Sequence, residues 1–256
     1  MELKQFESMI SFATGCKYSS LSYVDYDDVN TSEVICYDKS LLLLHKKSND
    51  LSEIHYATDD LKELLTRIKV NNLNGLIKFV PIDAIDQFEF CDFKIHCAYQ
   101  DFHLKDLERA TKIFKNECEI KFATFDEAKE ISDISKACSG LSRGFFGETE
   151  AWVKDWLTEN DIIVIYMNGT LIGFCCVSIY AEGTTLWIRE IAVHPDFQGK
   201  GIGKELLGMS LQYGLSKGAK KSFLAVDVEN KTAIQLYEYF GFEAKANEIE
   251  VQMIKV

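Results

Sequence analysis

Prolines, long apolar runs and positive charge are all scarce in this chain. It has 256 residues and only two prolines, and no apolar run approaches the roughly 18 residues that a membrane-spanning helix needs. With 28 basic against 40 acidic residues, its formal net charge is −12. A protein that binds nucleic-acid phosphates needs a basic face. The composition therefore argues against nucleic acid and membranes as partners and favours a cationic substrate or partner.

The eight cysteines form no metal-binding or disulfide pattern. The sequence contains no Cys-x-x-Cys pair and no pair of histidines at zinc-ligand spacing. Cys175 and Cys176 are adjacent in a strand-like run, where neighbouring side chains point to opposite faces. The first residues also lack the basic and apolar regions of a signal peptide. We therefore expect reduced thiols, no bound metal and a cytoplasmic protein.

Hydrophobic periodicity predicts two α/β halves that meet near residue 115. Each half alternates strands with helices, so the predicted domains are residues 1–114 and 115–256. The dipeptide Asn168-Gly169 predicts a tight hairpin between two apolar strands. The pattern also predicts a strand Phe93–Tyr99, a connecting helix Leu104–Phe114 and a last strand Glu248–Ile254.

A glycine-rich loop between a predicted strand and a predicted helix carries the strongest chemical signal. Gly199, Gly201 and Gly203 alternate with other residues just where the helix opens. Glycine allows close approach of the backbone to a ligand, and the first helical turn has free N–H groups with a partial positive charge. Lys200 and Lys204 add cations to an otherwise acidic chain. The loop therefore predicts an anion site that suits a pyrophosphate.

Three other interpretations of this loop fit less well. A P-loop requires a Ser or Thr after its Gly-Lys pair, and none stands there. A Rossmann fingerprint requires Gly-x-Gly-x-x-Gly, whereas this spacing is Gly-x-Gly-x-Gly. A glycine-rich turn without a ligand is the remaining alternative.

Two motifs in this region resemble the GNAT family of N-acyltransferases. Gln198, Gly201 and Gly203, following the apolar run Ile191 to Pro195, resemble the acyl-CoA-binding motif of that family. A second match follows at the family's spacing: Asp227 to Asn230, Ala233, Leu236 to Glu238, and Gly241-Phe242. The resemblance covers about residues 118–256. It implies an α/β fold (α+β in some schemes) with a mixed, mostly antiparallel twisted sheet flanked by helices, and we expect two such units in tandem.

The resemblance also implies a set of residues that bind acetyl-CoA as co-substrate, without a metal. Backbone groups of Ile191 and Val193 would pair with the pantetheine arm, as at a sheet edge. Backbone N–H groups from Gln198 to Lys204 would hold the pyrophosphate, and Asn230 would bond the pantetheine from the side. A helix N-cap is the alternative role for Asn230. The implied cofactor-binding residues are Ile191, Ala192, Val193, Gln198, Gly199, Lys200, Gly201, Ile202, Gly203, Lys204 and Asn230.

The acid and the base of the transfer are predicted separately. Tyr237 would protonate the departing thiolate, with a core aromatic as its alternative role. An attacking amine must lose a proton, and Glu190 is the first candidate to accept it. Strand alternation places Glu190 on the face opposite Ile191 and Val193, although Arg189 could hold it in a structural ion pair. Asp227 is a second candidate base, and Glu148 and Glu150 are candidates to bind a cationic amine, or else belong to a solvated helix face.

Residues 1–114 show no such glycine motif. The predicted helix Asp59–Ile68 follows a strand, but its start carries Asp59 and Asp60 and no glycine. Two carboxylates there satisfy the helix dipole themselves and would repel a pyrophosphate. We therefore interpret this half as a degenerate GNAT-like domain or an unrelated α/β domain without a coenzyme A site.

The function that the motifs imply is transfer of an acetyl or other acyl group from coenzyme A to a primary amine. A cationic small-molecule acceptor suits the acidic composition, in a protein that is a monomer or a homodimer. A protein N-terminus or lysine is the alternative acceptor. A sensor or interaction module that binds acyl-CoA without turnover is the alternative from another class.

Overall fold

The computed structural model describes residues 1–22, 24–49, 51–110 and 118–256. By their contacts these residues form two compact units. Unit 1 comprises Met1–Ala98 and Ile249–Val256, and unit 2 comprises Tyr99–Glu248. All eight cysteines are free thiols, as predicted. In the described part of the chain, no helix combines the length and apolar character needed to cross a bilayer.

The helices and strands alternate along the chain. The helices are α1 (Leu3–Gly15), α2 (Tyr26–Val29), α3 (Leu61–Val70), α4 (Ile85–Glu89), α5 (Leu107–Ala110), α6 (Ala128–Ala137), α7 (Glu150–Glu159), α8 (Ile202–Ser216) and α9 (Lys231–Tyr239). The strands are β1 (Tyr18–Ser19), β2 (Glu33–Tyr37), β3 (Leu41–Lys46), β4 (Glu53–Thr58), β5 (Gly75–Val80), β6 (Lys94–Leu104), β7 (Glu119–Phe122), β8 (Asp161–Met167), β9 (Thr170–Tyr180), β10 (Thr185–Val193), β11 (Lys221–Asp227) and β12 (Glu243–Lys255).

Unit 1 is built on a mixed sheet in the order β2-β3-β4-β5-β12, and β1 pairs with β4. Strands β4 and β5 are parallel, and the other pairs are antiparallel. Helix α3 begins after Asp60, whose carboxylate accepts the backbone N–H groups of Lys62 and Glu63. The carboxylate of Asp59 accepts the N–H of Lys17. The first turn of this helix is therefore satisfied by its own acidic cap.

Unit 2 is built on a sheet in the order β6-β11-β10-β9-β8-β7. Only β10 and β11 run parallel, while the neighbouring pairs are antiparallel. This confirms the predicted mixed, mostly antiparallel α/β sheet. Asn168 and Gly169 have φ of 53° and 77° and form the tight turn between β8 and β9, also as predicted.

Helices cover both faces of the unit 2 sheet, each over its own hydrophobic core. Cys175 belongs to the core that contains α8 and α9 residues, and Cys176 to the core that contains α6 and α7 residues. Both cysteines are fully buried, so the predicted alternation of these neighbours holds. We call the face of the sheet that contains Cys175 the α8 face and the face that contains Cys176 the α6 face.

Three predicted elements have different bounds in the structure. Strand β6 continues to Leu104 because Tyr99–Leu104 pairs with Ser222–Asp227, so Leu104 is not helical. Strand β12 begins at Glu243, before its predicted start. Of the predicted connecting helix, Leu107–Ala110 is helical, whereas residues 111–114 and the boundary near 115 lie outside the described residues. The compact units divide at Tyr99, within β6, where the pairing of this strand with β11 begins. That pairing joins residues distant in the chain, so it leaves no local signal in the sequence.

Candidate active site

Strands β10 and β11 separate part of the way along their length. The parallel ladder joins Thr185–Trp187 to Lys221–Phe223 and does not continue beyond Trp187. The register of β10 against β9 also shifts between Ile188 and Glu190, which places a bulge at Arg189. Bulges commonly interrupt a ladder and redirect side chains beside functional sites. Past Trp187, the edge of β10 that faces β11 therefore has no strand partner.

The backbone of β10 presents hydrogen-bonding groups to this gap. The N–H of His194 donates to the carbonyl of Ile172, so Val193 and Gly173 form a non-hydrogen-bonded pair. The peptide groups of Val193, and of Ile191 two residues earlier, consequently point away from β9 and towards the gap. The carbonyl of Val193 already accepts the amide of Gln198 at 2.8 Å and the thiol of Cys138 at 3.3 Å.

The glycine loop lies at the end of the same strand. Gly199 and Gly201 have φ of 74° and 85°, and a Cβ built on either would meet no atom within 4 Å. Gly201 is the N-cap of α8. Within the described chain, the backbone N–H groups of residues 199–203 donate to no protein acceptor. Consecutive free N–H groups at a helix start, with open space before them, fit the diphosphate of a coenzyme A-type ligand.

The other residues of the predicted motif have structural contacts as well. The ammonium of Lys200 donates to the carbonyl of Asp196 at 3.0 Å, and that of Lys204 lies 4.1 Å from the ring centroid of Tyr239. Ile202 is buried in the core of the α8 face. A Cβ on Gly203 would lie 3.5 Å from Leu236, an ordinary van der Waals contact, so the packing of α8 on α9 does not itself require glycine at this position.

Tyr237 on α9 lies in the core of the α8 face. Its side chain is 6% exposed, and its ring is 6.1 Å from that of Phe242. No described residue makes a hydrogen bond with its hydroxyl. Burial raises the pKa of this phenol well above its usual value, so it stays protonated and can donate.

Asn230 is the N-cap of α9. Its side-chain oxygen accepts the N–H of Ala233 at 3.1 Å, and α9 follows directly. The structure thus gives Asn230 the capping role that the sequence offered as its alternative. A contact of its amide with pantetheine remains a prediction.

Glu190 lies on the α6 face, opposite Tyr237. Its partner across the ladder is Cys176, whereas that of Ile191 is Cys175, so Glu190 and Ile191 face opposite sides as predicted. Glu190 is 7% exposed; Oε1 accepts the Ser135 hydroxyl at 2.8 Å, and Oε2 has no hydrogen-bond partner in the part of the chain that the structure describes. Burial raises the pKa of Glu190 to about 7, against a smaller opposing effect of the Ser135 hydrogen bond.

Arg189 makes its hydrogen bond to a different carboxylate. Its guanidinium donates to Glu148 at 2.9 Å and lies 3.8 Å from Oε2 of Glu190. The same guanidinium lies 4.8 Å from the ring centroid of Trp152. Glu150 pairs with Lys154 at 2.6 Å. Glu148 and Glu150 therefore already have cationic partners, which weakens their candidacy as amine-binding groups.

Asp227 is held by an arginine that the sequence did not single out. Arg143 donates from Nε and Nη2 to the Asp227 carboxylate at 3.0 and 2.9 Å, and its Nη1 lies 3.0 Å from Glu229. Asp227 is 1% exposed. The bidentate pair engages both oxygens of this carboxylate, and Oδ1 also accepts the backbone N–H of Glu229 at 2.8 Å. Asp227 is thus a structural residue in this geometry, and Glu190 is the stronger candidate base.

Comparison with known proteins identifies the class of this domain. Residues 128–242 match the model of the acetyltransferase (GNAT) family. They lie within unit 2 and include the splayed strands, the glycine loop, Glu190 and Tyr237. The chain therefore carries a domain of the acetyltransferase (GNAT) family, as its motifs predicted.

Two curated relatives and one solved structure resemble the chain. An uncharacterized N-acetyltransferase of Methanocaldococcus jannaschii is 31% identical over 137 residues, which are 49% of this chain and 61% of that protein. The streptothricin acetyltransferase of Streptomyces lavendulae is 35% identical over 99 residues, 39% of this chain and 52% of that protein. The chain thus spans less than two thirds of the length of either relative.

The solved structure is a tandem GNAT protein from the clavulanic acid biosynthesis pathway. It has a TM-score of 0.56 and 12% identity, and covers 83% of this chain and 77% of its own. At this identity the likeness concerns the fold alone. It extends beyond the family match and accords with the expected pair of α/β units, while the descent of unit 1 from a GNAT domain remains a prediction.

Proposed function

We propose that unit 2 transfers an acetyl group from acetyl-CoA to a primary amine of a cationic small molecule. The observation that carries the proposal is the gap between β10 and β11, which ends at the row of free N–H groups. Glu190 lies on one face of the sheet at this gap and Tyr237 lies in the core of the other face. An amine and a thioester can therefore approach the same gap from opposite faces.

The cofactor would be held mainly by backbone groups. The N–H groups of residues 199–203 would bind the diphosphate, and Lys200 and Lys204 would add positive charge beside it. The outward peptide groups of Ile191 and Val193 would hydrogen-bond the pantetheine arm as an added strand does. Acetyl-CoA supplies the activated thioester carbonyl when it is bound.

Glu190 would act as the general base. The amine nitrogen forms a bond to the thioester carbonyl carbon and must lose a proton, which the unpartnered Oε2 can accept directly or through a water molecule. A pKa of about 7 keeps a large share of this carboxyl ionised near neutral pH, yet leaves it basic enough to take the proton. Ser135 would keep the carboxyl oriented through Oε1.

Tyr237 would act as the general acid. When the carbon–sulfur bond breaks, the electron pair goes to sulfur, and the phenol can donate its proton to the developing thiolate. Its raised pKa and the lack of a described hydrogen-bond partner leave that proton available. Solvent would then restore the proton.

The acidic balance of the chain supports a cationic acceptor, since net charge of −12 attracts ammonium groups. Matched relatives that are named for small molecules, among them a streptothricin acetyltransferase and a mycothiol acetyltransferase, support a small-molecule acceptor.

An assay of thiol release from acetyl-CoA against a panel of amines tests this function. We expect amine-dependent release of coenzyme A together with acetylated product by mass spectrometry. The panel should contain small cationic amines, a lysine peptide and a peptide with a free N-terminus, because the last two represent the alternative acceptors. Tight binding of acetyl-CoA without release by any amine would favour a sensor or interaction module instead.

A further inference from the structure

Ala225 is a small exposed residue on the α6 face of the sheet, and we call the surface over it the floor. It is exposed, although Leu224 and Val226 on either side of it in β11 are buried. Because β10 leaves β11 after the Trp187–Phe223 pair, no residue of β10 is paired beside Ala225. If the parallel register is continued past that pair and Arg189 is counted as the extra residue of the bulge, Ala225 comes approximately level with Glu190, on the same face.

Aromatic rings bound this floor on the side where β10 and β11 are still paired. Trp187, Phe223 and His103 are lateral neighbours on β10, β11 and β6, and we call them the aromatic row. The Trp187 and Phe223 ring centroids are 6.0 Å apart, and those of His103 and Phe223 are 5.9 Å apart, in both cases with nearly parallel planes. None of the three side chains is fully buried. Such rings pack well against the alkyl part of an organic cation and attract its charge.

Asp101 lies on the opposite side of the floor from the gap. In the register of β6 against β11, Asp101 pairs with Ala225, so both side chains lie on one face. Asp101 is half-buried and makes neither a hydrogen bond nor an ion pair with any described residue. Burial raises the pKa of this carboxyl. His103 of the aromatic row and Lys245 both act against this rise, and Glu248 adds to it. Lys245 is itself paired with Glu248, so Asp101, Lys245 and Glu248 together retain one net negative charge.

We propose that the acceptor is a small dication whose second positive group is bound by Asp101 next to the aromatic row. This inference rests on the proposed function, because it places the reacting amine at Glu190. Glu190, Ala225 and Asp101 lie in a row across β10, β11 and β6. At about 4.8 Å per strand, two strand spacings separate the ends of the row by roughly 10 Å, and by more where the strands splay. The two charged nitrogens of the acceptor are therefore about that far apart.

A neutral aromatic acceptor accounts for less of this geometry. It would use the aromatic row, but it would cover Asp101 without supplying a partner, and an unpaired carboxylate is costly to desolvate. A dication uses both features, because its alkyl spacer crosses Ala225 and its second ammonium reaches the carboxylate.

The test compares diamines with monoamines of equal chain length. Diaminooctane is long enough when extended to span the row, diaminobutane is too short, and octylamine and butylamine are their matched monoamines. For the wild-type protein we expect kcat/KM for diaminooctane to exceed that for octylamine by about 10-fold. The shorter pair should differ much less.

Asp101→Asn should abolish the preference for diaminooctane, so that its kcat/KM falls to about that for octylamine in the same variant. Glu182→Gln, in the exposed β9–β10 turn, removes the same charge away from the row and should keep the preference. Coenzyme A binding shows that each variant is folded. Three results would each overturn the inference. They are an equal kcat/KM for the two long amines, a preference for diaminooctane that survives Asp101→Asn, and a higher kcat/KM for phenylbutylamine than for diaminooctane. Absence of turnover with every amine would overturn the proposed function, and the inference with it.

Discussion

Replacing Glu190 by glutamine should make the protein more stable at alkaline pH while removing most of its activity. The amide oxygen of glutamine can still accept the Ser135 hydroxyl that now donates to Oε1 at 2.8 Å. What the substitution removes is a carboxyl that is 7% exposed and whose second oxygen has no hydrogen-bond partner. A buried carboxylate with such incomplete compensation destabilises the folded state when it is charged.

The size of this effect follows from the pKa. Burial raises the pKa of Glu190 from 4.5 to about 7, which corresponds to about 3 kcal/mol in favour of the neutral form. Since the native pKa is the higher one, the folded state holds an extra proton between these two pH values. The associated stability is fully present below pH 4.5 and is lost as the pH rises through about 7.

Glu190→Gln should therefore be slightly less stable than the wild type in acid, where both side chains are neutral, and more stable than the wild type at higher pH. At about pH 8 we expect a gain of about 2 kcal/mol, less than the full amount because the new amide N–H groups lack an acceptor. Activity should fall by about 100- to 10,000-fold, the usual contribution of a general base. The wild-type kcat/KM should rise with pH around an apparent pKa of about 7.

Tryptophan fluorescence during denaturant unfolding reports on this unit. All three tryptophans, Trp152, Trp156 and Trp187, lie in unit 2. Glu150→Gln is a matched control, because it removes an exposed carboxylate from the same unit and should change neither property much. If Glu190→Gln were no more stable than wild type at alkaline pH, or if it kept most of its activity, the assignment of Glu190 as a buried base would be wrong.

Three further predictions concern the cofactor site. Tyr237→Phe should lower kcat by roughly 10- to 300-fold with little change in the KM for acetyl-CoA. If kcat stayed within about twofold of wild type and the melting curve were unchanged, Tyr237 would be a core aromatic only. Gly201→Val should abolish coenzyme A binding in calorimetric titration, because it puts a branched side chain into the open space before the free N–H groups; Gly169→Val, at a similar φ in the β8–β9 hairpin, is the control for backbone strain and should still bind. The full chain should bind one coenzyme A, since Asp60 already occupies the helix start in unit 1; a stoichiometry of two would contradict this.

Local features of the fold could be predicted from the sequence because neighbouring residues determine them. The Asn168-Gly169 turn requires positive φ at both positions, and few residues other than asparagine and glycine accept it. The helix starts at Asp60 and Asn230 follow from side chains that cap the nearest N–H groups. The row of free N–H groups at residues 199–203 likewise depends on glycines at alternate positions of one short segment.

Features that depend on residues distant in sequence could not be predicted. Arg143 and Asp227 are 84 positions apart, and Ser135 and Glu190 are 55 apart. Hydrophobic periodicity gives the face of each strand but not its neighbours, so the position of Asp101 beside Ala225 had no sequence signal.

By itself, the sequence determined the α/β class, the family of the second half and the loop that suits a diphosphate, because each depends on a short pattern of side chains and backbone angles. The tertiary structure decided which carboxylates are free for chemistry. It pairs Asp227 with Arg143 and Glu148 with Arg189, and it leaves an oxygen of Glu190 buried without a hydrogen-bond partner among the described residues. The physical reason is that burial and charge pairing, which set the pKa of a carboxyl, are properties of its surroundings in space.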